Sequence, residues 1–186
     1  MKRYSTLIFD LGNVLIDFSP YSIVSNYTND VQSIQCLVNE IFLKQEWLDL
    51  DQGTMPLEEA KERVLKRLDV SLHALALDIM ETWYDHLIER PYFPDLLKEL
   101  KAMGYRLVLF SNAALCFHDY QDRIQALQYF DHKVISAELK LSKPDPALYR
   151  VDWEMLDIDP TSAFFIDASR ANVQSAEALG IDSFWY

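Results

Sequence analysis

The sequence predicts an α/β fold: a doubly wound parallel sheet with a helical cap inserted after its first strand. Two observations support this. In the second half of the chain, short apolar runs alternate with helical segments, which is typical of parallel βαβ units. One further run, residues 5–9, stands alone before a long stretch whose apolar residues recur at helical spacing. We therefore predict a core of residues 1–16 and 92–186 and a cap of residues 17–91.

The expected core elements are short. Each predicted strand is an apolar run that ends at a turn or a polar residue, and Gly104 and Gly180 close two of the predicted helices. The predicted strands are residues 5–9, 106–110, 134–135, 163–166 and 183–185, and the predicted helices are 96–103, 120–127, 147–156 and 173–179.

The cap is expected to contain four helices. One of them begins near Thr54 and Pro56, where two acids follow at the positive end of the helix dipole. The aromatic residues of the cap, Trp47, Trp83 and Tyr84, are interpreted as part of the cap's hydrophobic core in preference to a platform for the substrate.

Composition excludes several classes of function. The chain has 186 residues and a formal charge of −12, which repels nucleic acid. No uncharged run reaches transmembrane length, so no membrane partner is expected. The two cysteines, Cys36 and Cys116, lack metal-type spacing and fit reduced thiols, which indicates a cytoplasmic protein.

Polar residues follow the predicted strands at the edge where ligands bind in doubly wound sheets. They are Asp10, Ser111 with Asn112, Lys143 and Asp167. Phosphoryl transfer through an enzyme nucleophile requires an attacking oxyanion, positive charge against the phosphoryl oxygens and hydrogen-bond donors. Asp10, Lys143 and Ser111 supply these three, and Asp10 and Asp167 together are suited to bind Mg²⁺.

Four stretches in order resemble the haloacid dehalogenase superfamily. "LIFDLGNVLIDF" is similar to its first motif, "LVLFSN" to its second, "SKPDPALY" to its third and "AFFIDASRANVQSAEALG" to its fourth. The segment after the first motif resembles the family's small helical cap. Within it, "DQGTMPLEEA" is similar to the cap of bacterial sugar-phosphate phosphatases, such as those that act on glucose-1-phosphate.

The resemblance implies a Rossmann-like core and a role for each residue. Asp10 would be the nucleophile that forms an aspartyl-phosphate, and Ser111, Asn112 and Lys143 would bind the phosphoryl group. Mg²⁺ would be bound by Asp10, the Gly12 carbonyl and Asp167. Asp17 and Pro91 would flank the two hinges between core and cap.

Two positions depart from the family pattern. The family's phosphatases usually have a second aspartate where this chain has Gly12; it protonates the leaving group and later deprotonates water. Many relatives also have an acid where this chain has Ala168, and Asn172 is a candidate to compensate through a bound water. General acid–base help is worth about 10²- to 10⁴-fold in rate. The residues therefore predict a slow phosphatase that prefers anomeric, aryl or acyl phosphates and accumulates its phosphoenzyme.

Two alternatives remain open. The first is a catalytically impaired member of the fold that binds a phosphorylated ligand or a protein partner, as the losses at Gly12 and Ala168 suggest. The second is a 2-haloacid dehalogenase, which would use Asp10 on carbon without a metal. The pair Gly12–Asn13 does not resemble the dehalogenase signature. A Mg²⁺-dependent phosphatase acting on a small phosphorylated metabolite is the favoured interpretation.

Overall fold

A computed structural model of the chain describes residues 3–186 and contains a parallel five-stranded sheet. The strands in chain order are β1 (Thr6–Phe9), β2 (Ile16–Asp17), β3 (Ile88–Glu89), β4 (Arg106–Ser111), β5 (His132–Ile135), β6 (Ala163–Asp167) and β7 (Asp182–Trp185). The central sheet has the order β5-β4-β1-β6-β7, so β1 lies in the middle between β4 and β6.

The sequence of β1 explains its central position. All four of its residues are buried, as expected where helices cover both faces of a parallel sheet. Successive side chains point to opposite faces. Leu7 and Phe9 join one hydrophobic cluster, whereas Ile8 joins the other. The predicted doubly wound architecture is confirmed.

Helices pack on both faces of this sheet. In chain order, the α-helices of residues 3–186 are α1 (Pro20–Val24), α2 (Val31–Leu37), α3 (Gln45–Gln52), α4 (Leu57–Arg67), α5 (His73–Thr82), α6 (Phe93–Ala102), α7 (Phe117–Tyr120), α8 (Ser136–Leu139), α9 (Pro146–Leu156) and α10 (Arg170–Ala178). The first five lie in the segment between β2 and β3, and the helices that cover the sheet are among the other five. Leu97 of α6 belongs to the cluster of Leu7, and Leu148 of α9 to that of Ile8. Within residues 3–186, no helix is long and apolar enough to cross a membrane.

The segment between β2 and β3 is helical, as predicted. It contains α1 to α5, a π-helical turn at Val38–Phe42 and short 3₁₀ turns, and β2 pairs with β3 as an antiparallel ribbon at its base. The expected four helices become five because Pro20–Val24 forms a separate short helix, whose N-cap is Ser19. This ribbon supports a cap boundary near residues 17 and 91, which stays a prediction.

One predicted helix is wrong. Residues 120–127 do not form a continuous helix: α7 ends at Tyr120, and two 3₁₀ segments follow. The carboxylate of Glu89 in β3 accepts hydrogen bonds from the backbone N–H groups of Gln125 at 2.9 Å and Ala126 at 2.6 Å. A continuous helix would pair those donors with its own carbonyls, so this tertiary contact replaces the local pattern.

Candidate functional site

Asp10 lies directly after β1, at the carboxyl end of the central strand. Its backbone N–H donates to the carbonyl of Ile166 in β6 at 2.9 Å, which fixes the backbone at this point. The chain then turns through Asn13, whose φ of 58° is left-handed, as its residue type allows. The Asn13 side chain accepts a hydrogen bond from the Phe18 N–H at 3.0 Å and holds the turn closed.

The Lys143 ammonium joins the ends of three strands. Its Nζ lies 2.9 Å from Asp10 Oδ1, 2.7 Å from Asp167 Oδ2 and 2.6 Å from the Phe110 carbonyl oxygen. The side chains of Lys143 and Asp167 are almost fully buried, whereas that of Asp10 is 14% exposed. The carboxylate open to an incoming ligand is therefore that of Asp10.

Burial and charge act in opposition at this cluster. Burial raises the pKa of Asp10 to about 6, Lys143 lowers it, and the neighbouring charge of Asp167 adds to the increase. Burial opposes the charge on Lys143, but Asp10 and Asp167 outweigh it and raise the pKa of the ammonium. The charge of Lys143 thus favours the ionised form of Asp10 against the effect of burial.

Asp167 is held on all sides. Its Oδ1 accepts from the Ser169 backbone N–H at 2.7 Å, and the Asn172 amide nitrogen donates to Oδ1 at 3.1 Å and to Oδ2 at 3.0 Å. Asn172 therefore orients Asp167 directly by hydrogen bonding. Ala168 contributes no oxygen donor from its side chain at this position.

Ser111 and Asn112 end β4 beside Lys143. Ser111 is buried at the end of the strand. The Asn112 side chain is engaged twice by the lysine loop: Oδ1 accepts from the Lys143 N–H at 2.8 Å, and Nδ2 donates to the Lys143 carbonyl at 2.9 Å. Asn112 thereby positions Lys143, and any contact of Asn112 with a phosphoryl group falls to its backbone N–H.

Oxygen donors suited to a hard cation converge here. Asp10 and Asp167 each place an oxygen within 2.9 Å of the same ammonium, and Gly12 follows two residues after Asp10. Residues 3–186 contain no cluster of three or more His, Cys, Asp or Glu side chains arranged around a metal. Mg²⁺ often keeps several waters and uses only one or two carboxylates. The donor set fits such a cation, with Asp10 as the accessible carboxylate.

Two acids near this cluster, the half-buried Asp51 and the buried Asp152, were not predicted. Asp51, in the last turn of α3, interacts with the charge of Asp10 across the cap–core boundary. Asp152, in α9, interacts with Lys143. Gly53, two residues after Asp51, marks the end of α3 in the sequence, but nothing local points to Asp51 itself. Nothing in the helical pattern of α9 distinguished Asp152.

The chain matches a family model described as haloacid dehalogenase-like hydrolase over residues 4–180. It is 23% identical to a phosphorylated carbohydrates phosphatase from Thermotoga maritima, with 96% of this chain and 83% of that protein covered. It is 24% identical to an (S)-2-haloacid dehalogenase from Pseudomonas putida, with 100% and 86% covered.

A solved structure shares the fold. It is a HAD family enzyme from Bacteroides thetaiotaomicron in complex with magnesium and inorganic phosphate, with a TM-score of 0.77 and 24% identity. The match covers 97% of this chain and 93% of that one. The whole described chain, cap segment included, is therefore similar in fold to one enzyme.

Proposed function

Because the chain belongs to the haloacid dehalogenase-like hydrolases, we propose that it hydrolyses a small phosphorylated metabolite through an aspartyl-phosphate at Asp10, with Mg²⁺ as cofactor. The observation that carries this proposal is the placement of Lys143 between Asp10 and Asp167, which leaves one carboxylate open beside a buried cation. The phosphatase relative that acts on phosphorylated carbohydrates supports a sugar phosphate as substrate.

Each residue of the cluster has a proposed role. An Asp10 oxygen attacks phosphorus while the bond to the leaving oxygen breaks, and water then cleaves the aspartyl-phosphate. Lys143 and Ser111 bind the phosphoryl oxygens, and Asn112 and Asn172 hold Lys143 and Asp167 in position. Bound by Asp10, the Gly12 carbonyl and Asp167, Mg²⁺ would add positive charge against those oxygens.

The net charge of the chain indicates its type of substrate, and its two cysteines indicate its cellular location. A net charge of −12 disfavours nucleic-acid substrates and supports a small molecule. Both cysteines are free thiols. We place the protein in the cytoplasm on that basis, because reduced thiols persist there.

The first prediction tests the chemistry itself. A phosphometabolite screen with and without Mg²⁺ should find turnover that needs the cation and disappears in Asp10→Asn. Rapid acid quench followed by intact-mass measurement should show one added phosphoryl group in the wild-type chain and none in Asp10→Asn.

Two other outcomes identify the alternatives. Halide release from a 2-haloacid without added metal, together with no phosphate release, would identify a dehalogenase. The similarity of this chain to an (S)-2-haloacid dehalogenase makes that outcome worth testing. Binding of phosphorylated ligands with neither turnover nor an adduct would identify the catalytically impaired protein. Either result would contradict the proposal.

A further inference from the structure

Gly12 leaves the turn after Asp10 without a side chain that could exchange a proton with the leaving group. Asp51 lies at the end of α3 in the cap; its carboxyl accepts a hydrogen bond from the backbone of Ala114, three residues after Ser111, and is near enough to Asp10 for their charges to interact. The two acids thus come from different segments of the chain, Asp10 from the core and Asp51 from the cap.

The end of α3 is fixed against the core by direct contacts. The backbone carbonyl of Asp51 accepts a hydrogen bond from the hydroxyl of Ser136, which is fully buried. The Gln52 side chain donates to the Lys140 carbonyl at 3.3 Å. Gly53 is so close to α8 that a Cβ there would lie 2.2 Å from the Ala137 carbonyl oxygen. The position of Asp51 is therefore set by the closed arrangement of cap and core.

Asp51 also lines a cavity of about 1110 Å³ between the cap and the segment after β4. Trp47, Trp83 and Tyr84 form part of its wall, so these aromatics line a cavity as well as packing with one another. Two further acids line it, but Glu81 pairs with Lys61 at 2.7 Å and Asp119 is exposed. Asp51 is the cavity acid whose carboxyl accepts a hydrogen bond from the segment after β4, at the backbone of Ala114.

The surroundings of Asp51 favour its protonated form. Burial raises the pKa of Asp51 to about 8, Ala114 and Trp47 lower it as hydrogen-bond donors, and the charge of Asp10 adds to the increase. The other titratable groups that interact with it are Cys116 and Tyr120 of the core, and burial raises the pKa of both. Two lysines line the same cavity: Lys61, which pairs with Glu58 and Glu81, and Lys140.

We propose that the carboxyl of Asp51, which belongs to the cap, donates the proton to the leaving group. Gly12 has no side chain that could do so. This inference rests on the proposed phosphatase function. Its backbone neighbour in the core, Ala114, follows three residues after Ser111, so Asp51 lies beside the predicted phosphoryl-binding segment. The cavity beyond it accepts the organic part of the substrate.

The two half-reactions balance through this one carboxyl. When Asp10 attacks phosphorus, the electron pair of the breaking P–O bond goes to the leaving oxygen, which takes the proton from Asp51. The Asp51 carboxylate then accepts a proton from the water that attacks the aspartyl-phosphate. The bond between phosphorus and Asp10 breaks, Asp10 is restored as a carboxylate, and Asp51 is protonated again.

With an acid in the cap, the expected substrate preference is broader. The residues around Asp10 alone predict an enzyme restricted to good leaving groups. With Asp51 as acid, the wild-type chain hydrolyses alkyl phosphates as well, and the restriction appears only when Asp51 is replaced.

The test compares two leaving groups in Asp51→Asn, with Mg²⁺ present throughout. For propyl phosphate, whose alkoxide needs a proton, kcat/KM should fall by about 10²- to 10⁴-fold. For para-nitrophenyl phosphate, whose phenolate departs without one, kcat/KM should change by less than about tenfold on the same reasoning. The phosphoenzyme should accumulate in quenched samples, since water has lost its base.

Three controls separate this role from a structural one. Asp49→Asn, on the same helix, should leave both substrates unchanged. The ratio of the two kcat/KM values should vary with pH near 8 in the wild-type chain and be flat in Asp51→Asn. Adding Gly12→Asp to Asp51→Asn should restore hydrolysis of propyl phosphate, because a Cβ at Gly12 has only the Phe18 Cβ near it, at 3.9 Å.

The outcomes are distinguishable. Equal losses for both substrates in Asp51→Asn, or no loss for either, would overturn the role of Asp51 and leave the phosphatase function standing. Absence of Mg²⁺-dependent turnover of either ester by the wild-type chain would overturn both proposals.

Discussion

At the scale of single residues, Asp152 is a carboxyl without a hydrogen-bond partner. It is 2% exposed, and neither of its oxygens has a partner in the described chain. Burial raises its pKa to about 7, although Lys143 opposes the increase. The folded chain thus keeps a proton that the unfolded chain releases near pH 4, so this carboxyl reduces stability progressively as pH rises from about 4 to about 7.

Replacing Asp152 should therefore stabilise the protein. Asp152→Leu is expected to raise the free energy of unfolding at pH 8 by roughly 1–3 kcal/mol, the usual cost of an unsatisfied buried polar group. The gain should be smaller at pH 5, where the carboxyl is neutral in the folded state. Urea unfolding at both pH values measures it, with Glu154→Leu on the exposed side of α9 as control. A larger gain at pH 5 would refute this account.

Some residues of the candidate site can be predicted from the sequence and others cannot. Asp10 and Asp167 were predicted because each comes at the end of an apolar strand, and the two strands are neighbours in the sheet. Lys143 lies on the loop after α8, in the stretch that resembles the third motif of the family. Asp51 could not be found in that way. Its proximity to Asp10 depends on how the cap docks, which is a long-range contact without a local pattern.

At the scale of elements, the end of α3 depends on one glycine. Gly53 caps the helix with a left-handed φ of 72° and lies against Ala137 of α8. The regular elements of the core were predicted to within a few residues, because buried strands and amphipathic helices have periodic patterns. The β2–β3 ribbon and α8 were not predicted, since elements of two or four residues are too short to show a period.

Gly53→Ala should displace α3 from α8. The left-handed backbone alone costs about 1–2 kcal/mol, and the collision with the Ala137 carbonyl adds to it. Gly180→Ala is the matched control, because its φ is 88° and a Cβ there meets nothing within 4 Å. Thermal unfolding should show a larger loss for Gly53→Ala, and only that variant should lose activity toward propyl phosphate. Equal behaviour of the two variants would contradict close docking at this point.

At the scale of the whole molecule, Lys143 ties the core together. A single buried ammonium bonds to Asp10 after β1, to the Phe110 carbonyl in β4 and to Asp167 in β6. A more exposed ion pair lies at the β2–β3 ribbon, where Arg90 is 2.7 Å from Asp17. The cluster of Asp10, Lys143 and Asp167 is thus also an electrostatic junction of the sheet.

Removing this ammonium should weaken the whole fold. Lys143→Met leaves two buried carboxylates facing each other and is expected to cost roughly 3–5 kcal/mol of unfolding free energy. The exposed pair Arg63–Glu59 provides the control, since Arg63→Met should cost at most about 1 kcal/mol. Asp167→Asn in the Lys143→Met background should recover part of the loss. Urea denaturation measures the unfolding free energy of each variant. Similar losses in Lys143→Met and Arg63→Met would contradict a stabilising role of Lys143 between the strands.

The contact between Asp51 and the core has a consequence for how such a chain can diversify. If nucleophile and acid reside in different segments, exchanging the cap alters chemistry as well as substrate choice. A chimera of this core with a relative's cap would retain Asp10 and Lys143 but would have an acid only if the new cap brought its own. If Asp51 has the proposed role, recombining this core with another cap would therefore exchange recognition and acid chemistry together.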